Sequence, residues 1–299
     1  MELDPMSQRA TPGVAGGTSG LALEVKALGK TFVGRERSSV AIGEVGFGVA
    51  DREFVTVVGP SGCGKTTLLK CIAGLMAPSM GETSFGGVRV SGPVSDMALV
   101  FQDYSRSLFP WLTVRKNVLL PLQGGTRSDR DQTVRESLEA VGLTRFIDHY
   151  PSQLSGGMQQ RVAIARALAV RPRMLLMDEP FASVDAQTRA DLEDLVLRIH
   201  HEYEVTMLLV THDIDESVYM SDRVIILTTS PAYVQEVLPI ELPRPRAQDV
   251  TKATPQFARL RTHVYRAITQ AHGDTRRSTA ASEPKPAELP TEPNSAFLV

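Results

Sequence analysis

Short, mostly apolar runs alternating with helical spacings set the pattern of this chain. Phe54–Val58 is such a run and predicts a strand; from Lys65 to Leu75, Leu68, Ile72 and Leu75 fall on one face of a predicted helix. Leu99–Phe101, Met174–Met177 and Met207–Val210 are apolar throughout and short, the signature of strands buried on both faces of a largely parallel sheet. Met158, Val162, Ala165 and Ala169 recur at helical spacing, and Pro172 follows where that helix must end. Strands alternating with helices predict an α/β fold. Between about Tyr104 and Gln160 the alternation gives way to a mostly helical pattern, which predicts a subdomain. Near the C-terminus, Phe257, Leu260, Val264 and Ile268 predict one amphipathic helix within Thr251–Ala271.

The ends differ from this pattern. Residues 1–20 are rich in Gly, Thr and Ser and read as a flexible leader; 274–299 carry four prolines and few large apolar residues and read as a disordered tail. That leaves 21–243 as the main domain, with a helical subdomain at about 104–160, and 244–273 as a partly helical extension. With 299 residues and 42% hydrophobic content the chain can bury a large core. A net charge of −2 provides no basic field, so nucleic acid is not an expected partner. Cys63 and Cys71 cannot form a disulfide framework and point to a reducing compartment. No apolar run is long enough to span a bilayer, so any membrane role is expected to be peripheral.

Candidate chemistry begins at Gly59-Pro60-Ser61-Gly62-Cys63-Gly64-Lys65-Thr66-Thr67, between a predicted strand and a predicted helix. That is the context of a phosphate-binding P-loop: the glycines let backbone N–H groups approach phosphate, and the helix N-terminus adds positive charge. Lys65 is positioned to reach the β and γ phosphates, and the Thr66 hydroxyl to ligate Mg²⁺. At Cys63, the helix N-terminus would favour a thiolate; the plainer reading is a small residue that fits. Downstream, the apolar strand Met174–Met177 ends in Asp178 and Glu179, which a parallel sheet would deliver to the ligand crevice. There Asp178 can hold Mg²⁺ through water, and Glu179 can act as general base on the attacking water.

Leu154-Ser155-Gly156-Gly157-Met158-Gln159-Gln160-Arg161 is a second glycine-bearing helix start, with Ser155 at the N-cap. It can be a second anion site or a capped helix with glycines for close packing. One nucleotide does not need two cradles within one chain, so a second chain could use this one in trans. His212, after a predicted strand, reads either as catalytic or as a satisfied loop histidine, whereas His200 and His201 read as a solvated pair on a surface helix.

Over roughly residues 21–246 the sequence resembles the ATP-binding subunits of ABC transporters. The motifs fall in that family's order: the P-loop, Gln102, LSGGMQQR, Asp178-Glu179, Ser183-Val184-Asp185 and Thr211-His212-Asp213. The resemblance implies a RecA-like P-loop NTPase core, an N-terminal antiparallel β subdomain and a helical subdomain. It also implies a head-to-tail homodimer, or a pairing with a homologous ATPase, that closes on two ATP molecules with Mg²⁺. By the same resemblance, Ser155, Gly156, Gly157 and Gln159 bind ATP in trans and Asp185 communicates across the dimer. His212 contacts the γ-phosphate, Gln102 senses Mg²⁺ and water, and Phe32 stacks on adenine. Val184, Asp51-Arg52-Glu53 without a preceding glycine, the glycines at 46 and 48, and Ala232-Tyr233 depart from the usual pattern, Val184 only mildly, and the catalytic positions are intact.

The segment FQDYSRSLFPWLTVRKNV, Phe101 to Val118, holds the one tryptophan of the chain. Leu108, Phe109, Pro110 and Trp111 follow Gln102, where this resemblance places the groove for an integral-membrane permease subunit; Trp111 reads equally as an anchor of the helical subdomain. The same stretch, with Glu241–Arg246, resembles the nitrate/sulfonate/taurine group of importers, which implies a peripheral subunit on the cytoplasmic face of the membrane, served indirectly by a solute-binding protein. The alternative is a soluble ABC ATPase acting on DNA or ribosomes, which would predict coiled-coil insertions, tandem ATPase domains or a basic face. A P-loop kinase would lack the second glycine motif, and a non-catalytic ATP binder would not need Lys65, Asp178, Glu179 and His212 together.

Overall fold

The structure is a computed structural model that describes residues 20–34, 38–103 and 107–280, with side chains described up to 270. The leader through residue 19 and the tail from residue 281 lie outside the described residues, as do Tyr104 to Arg106. One ten-stranded sheet organises the rest, in the order β5-β4-β1-β2-β10-β9-β3-β8-β7-β6. Its strands are β1 (Leu21–Val33), β2 (Ser38–Ala50), β3 (Phe54–Val58), β4 (Met80–Phe85), β5 (Val88–Arg89), β6 (Met97–Val100), β7 (Met174–Asp178), β8 (Thr206–Thr211), β9 (Arg223–Leu227) and β10 (Ala232–Pro239).

Strands β9, β3, β8, β7 and β6 pair in parallel, while β2, β1, β4 and β5 pair antiparallel. β10 joins the halves, antiparallel to β9 and parallel to β2 at Ala232 and Tyr233. The expected parallel core and antiparallel β region are therefore one continuous sheet. Gly46 and Gly48 lie inside β2 without interrupting it.

Strand alternation separates two apolar cores. Val55, Val57, Leu176, Leu208 and Val210 face Leu68, Leu69 and Ile72 of α1 (Lys65–Ile72) and the inner residues of β1 and β2. Phe54, Val58, Leu175, Met177, Met207 and Leu209 face the opposite way, toward α4 (Gly156–Ala169), α5 (Ala186–Tyr203) and α6 (Ile214–Met220). Helices thus cover both faces of the parallel strands, which is why those strands read as near-continuous apolar runs. The helical region contains α2 (Val114–Leu119) and α3 (Arg127–Ala140), and α4 anchors it through Val162, Ile164 and Ala165.

Several local expectations need correction. α1 stops at Ile72, and Gly74 turns the chain at φ +70°, so Leu75 leaves the helical face and is half exposed. β6 ends at Val100, leaving Phe101 outside the strand. The apolar positions Phe257, Leu260, Val264 and Ile268 lie on one helix as expected, α8 (Pro255–Ala280), which starts later than Thr251 because a separate short helix, α7 (Gln248–Lys252), precedes it; Thr254 Oγ1 accepts from the Phe257 N–H at the start of α8. Phe257, Val264 and Ala267 of α8 join the core, and its backbone stays helical to Ala280, past the position where the tail was expected to begin. His200 is buried rather than solvated: Nδ1 lies 2.9 Å from Val205 O, the ring meets Phe54 edge-on, and burial pushes its pKa down.

Candidate active site

Four parallel strands in adjacent positions, β3, β8, β7 and β6, deliver the residues after their C-terminal ends to one edge of the sheet. The P-loop follows β3, His212 follows β8, Glu179 follows β7 and Gln102 lies two residues past β6. Residues scattered through the sequence therefore meet because the strands that carry them are neighbours.

The P-loop runs from Gly59 to the first turn of α1. Gly64 has φ +104°, and a Cβ there would lie 2.9 Å from the Ala41 carbonyl oxygen, so this position requires glycine on both counts. Lys65 is buried and folds back along the loop, its Nζ donating to Gly59 O at 2.8 Å and Pro60 O at 3.0 Å. Gly59, Pro60 and Cys63 are buried, while Ser61, Gly62 and Thr66 face out and Gly64 and Thr67 are half-buried. Burial pushes the Cys63 thiol up despite the nearby Lys65 ammonium, which corrects the expectation of a thiolate.

Thr66 Oγ1 donates to Asp178 Oδ1 at 3.1 Å, linking α1 to the end of β7. Burial raises the Asp178 carboxyl, and the Thr66 hydrogen bond opposes that rise. Two hard oxygen donors from different elements, beside a phosphate cradle, fit Mg²⁺, which is typically held by one or two protein oxygens together with substrate phosphates and water. Among the described residues there is no cluster of three or more His, Cys, Asp or Glu side chains able to hold an ion alone.

Glu179 has a left-handed backbone at φ +43°, a conformation sparse for residues other than glycine, and its N–H donates to Val210 O at 2.8 Å. The neighbouring strand thus holds the bend that carries its side chain to the sheet edge. Glu179 Oε2 accepts from Gln102 Nε2 at 3.0 Å and lies 3.1 Å from His212 Nδ1. The trio joins the ends of β6, β7 and β8.

Ser155 caps α4 by accepting from the Met158 N–H, and Ser155 and Gly156 are exposed. Gly157 is buried, and a Cβ on it would collide with the Thr188 methyl of α5. Gln159 Nε2 donates to Pro151 O and Leu154 O, holding the turn before α4. Asp185 caps α5, its Oδ1 accepting from the Thr188 N–H at 3.0 Å. Phe32 lies in the β1–β2 hairpin, 42% exposed, with the Lys30 ammonium 5.5 Å from its ring centroid.

The Leu108–Trp111 segment divides. Leu108 is 3% exposed and belongs to the core, which corrects its place in an expected docking groove. Trp111 is 69% exposed and touches Phe109 edge-on, so it does not anchor the subdomain. Asn117, which the sequence reading passed over, shapes this loop: fully buried, it accepts from the Phe109 N–H and donates to the carbonyls of Phe109, Leu112 and Thr113. An asparagine at helical spacing on the Val114–Val118 face of a short helix, just after an irregular loop, was the available signal.

Comparison with known proteins agrees with this geometry. The ABC transporter family model matches residues 42–182. An uncharacterized ABC transporter ATP-binding protein of Methanocaldococcus jannaschii is 48% identical over 226 residues, covering 75% of this chain and 84% of that protein. The nitrate import ATP-binding protein NrtD of Synechocystis is 45% identical over 223 residues, covering 74% of this chain and 83% of its own. Among solved structures, a dimeric ATP-binding cassette, MJ0796, in a post-hydrolysis state bound to ADP and Pi, matches with TM-score 0.65 and 32% identity, covering 73% of this chain and 99% of that one.

Proposed function

This chain belongs to the ATP-binding subunits of ABC transporters, and from that premise we propose that it is the ATP-hydrolysing, energy-coupling subunit of an importer for nitrate, an aliphatic sulfonate, taurine or a related small solute. The observation that carries the ATPase assignment is the convergence of Gln102 and His212 on Glu179 beside the P-loop.

In this reading the P-loop backbone from Gly59 to Thr67, with Lys65, binds the phosphates, and Phe32 stacks on adenine. Thr66 and Asp178 would hold Mg²⁺, with Gln102 sensing it, and the bound ion would supply positive charge that neutralises the phosphates. Both protein contacts fall on Glu179 Oε2, so Oε1 is the oxygen presented to water. Glu179 accepts the water proton as the water oxygen attacks the γ-phosphorus and the bond from that phosphorus to the β–γ bridging oxygen breaks, leaving ADP and phosphate; His212 orients Glu179 and contacts the γ-phosphate. Ser155, Gly156 and Gly157 at the start of α4 offer backbone and hydroxyl donors to the ATP of a second subunit, with Gln159 supporting their turn and Asp185 communicating across the interface. Of the residues in the α4 turn, Ser155 and Gly156 are the outward-facing ones, so they make the direct contacts.

Dimer closure on two ATP molecules then drives membrane-embedded permease subunits, to which a solute-binding protein delivers cargo. Among the described residues no helix is long and apolar enough to cross a membrane. The subunit acts at the cytoplasmic face of the membrane, with Phe109, Pro110 and Trp111 against the permease. The nitrate-import relative supports the solute group. Deleting the gene and scoring growth on nitrate as sole nitrogen source and on taurine or an aliphatic sulfonate as sole sulfur source tests it. Loss of growth on one of these is expected, and unimpaired growth on all of them overturns the solute group.

A further inference from the structure

Arg189 lies in the first turn of α5, where its N–H donates to Asp185 O at 2.8 Å. Its side chain reaches to the turn after β8. There Nη1 lies 3.2 Å from Asp213 Oδ2, and Nε lies 3.8 Å from Glu216 Oε1. Asp213 Oδ1 caps α6, accepting from the N–H groups of Asp215 at 2.8 Å and Glu216 at 3.1 Å. Its two oxygens are thus divided between the helix and Arg189. Glu216 is 3% exposed and accepts from Thr211 Oγ1 at 2.6 Å, and the same hydroxyl accepts from the Asp213 N–H at 3.0 Å. Thr211 and Asp213, the two neighbours of His212, are therefore held in one partly buried polar cluster that Arg189 closes from another helix.

The same turn of α5 meets the start of α4. Thr188 Oγ1 donates to Asp185 Oδ2 at 2.7 Å, and the Thr188 methyl occupies the space a Cβ would need on Gly157. Consecutive residues of α5 thus touch the glycine turn of α4 and the His212 turn. Arg189 Nε is buried without a hydrogen bond and faces Glu216 at a distance one small movement would close. Such a donor is costly to leave unmade, which favours any state of the molecule that satisfies it.

We propose that Arg189 is a positioning residue for ATP hydrolysis: it fixes the His212 turn against the first turn of α5, so that displacement of the α4 and α5 N-termini reaches His212. The proposal rests on the reading of Glu179 and His212 as the hydrolytic pair. Arginine suits the task because its rigid planar fork holds two carboxylates in a fixed geometry, whereas a lysine ammonium is a point charge on a flexible stem. Burial pushes Glu216 up to about 8, with Asp213 and Glu193 adding to the rise and Thr211 and Arg189 opposing it. A shorter Arg189 contact would therefore draw Glu216 toward its ionised form and tighten the cluster.

Steady-state ATPase assays on the full chain test this with Arg189→Ala, Asp213→Asn and the double variant. Each single change is expected to lower kcat about tenfold with KM for ATP within about twofold, as a misplaced catalytic group does. The double variant should be no slower than the slower single one, because both changes break one device. Unchanged kcat in Arg189→Ala, multiplying losses in the double variant, or a loss confined to KM overturns the proposal. Should Arg189→Ala not fold, Arg189→Lys serves: a lower kcat with an unchanged melting temperature supports the proposal, and wild-type kcat overturns it. His212→Ala separates the two levels. Full turnover in that variant overturns the hydrolytic reading and the proposal with it, whereas an inactive His212→Ala beside a fully active Arg189→Ala overturns the proposal alone.

Discussion

Glu179 and His212 meet at 3.1 Å, Oε2 to Nδ1, across the ends of two adjacent parallel strands. The pairing depends on the left-handed bend at Glu179, held by the Val210 carbonyl of the strand that also carries His212. One strand thus fixes both partners, the first through its backbone and the second through its chain direction.

Replacing Glu179 with Gln keeps the size and the contact with His212 but removes the proton acceptor. Turnover measured by phosphate release should fall by about 10²–10⁴-fold, the usual contribution of a general base. ATP binding should persist, and light scattering should show an ATP-stabilised dimer. Wild-type phosphate release would remove Glu179 from the role of base.

Ser155→Arg places a long cation on the exposed start of α4, away from the P-loop of its own chain. Nucleotide affinity of the monomer should stay within about threefold of the parent, since the P-loop residues are untouched, while ATPase activity should fall by at least about tenfold because the second cradle is blocked. A homodimer of this variant that hydrolysed ATP at the parental rate would contradict the trans arrangement.

Much of this architecture is legible in the sequence because the parallel strands are buried on both faces: Met174–Met177 and Met207–Val210 can be little else. The P-loop is legible for a local reason, since its glycines, lysine and threonines serve one contiguous turn. What escapes is whatever depends on the packing of distant segments. His200 looks like half of a solvated pair until Phe54 and Val205 enclose it. Leu108 and Trp111, three residues apart in one apolar cluster, have opposite fates because Asn117 ties down the backbone between them. The Arg189 cluster joins α5 to the turn after β8, and no spacing rule connects those positions.

That division between Leu108 and Trp111 has a measurable consequence. Trp111→Ala removes an exposed ring and should change stability by no more than about 0.5–1 kcal/mol. Leu108→Ala empties a core position and should cost about 2–4 kcal/mol. If Trp111 meets the permease, its variant should lower solute uptake in reconstituted vesicles several-fold while ATP binding by the isolated subunit is unchanged. Equal loss of uptake and ATP binding would return Trp111 to a structural role.

Glu216 makes folding stability pH-dependent in a direction that can be worked out. Burial raises its pKa to about 8 from 4.5, so between those values the folded chain holds a proton that the unfolded chain has released. Stability from this group is therefore complete below about 4.5 and declines as pH rises toward about 8. The charged and titratable neighbours are Asp213 at the start of its own helix and Arg189 and Glu193 from α5, with Lys252 of α7 bound to Glu193 at 3.0 Å. Glu216→Gln keeps an acceptor for Thr211 and removes the titration. Urea unfolding between pH 5 and 8, a range inside that window, should show a shallower decline of stability in Glu216→Gln than in the parent, with the two curves separating most at the alkaline end. Parallel curves would mean that Arg189 already holds Glu216 ionised across the range, and the raised pKa would be wrong.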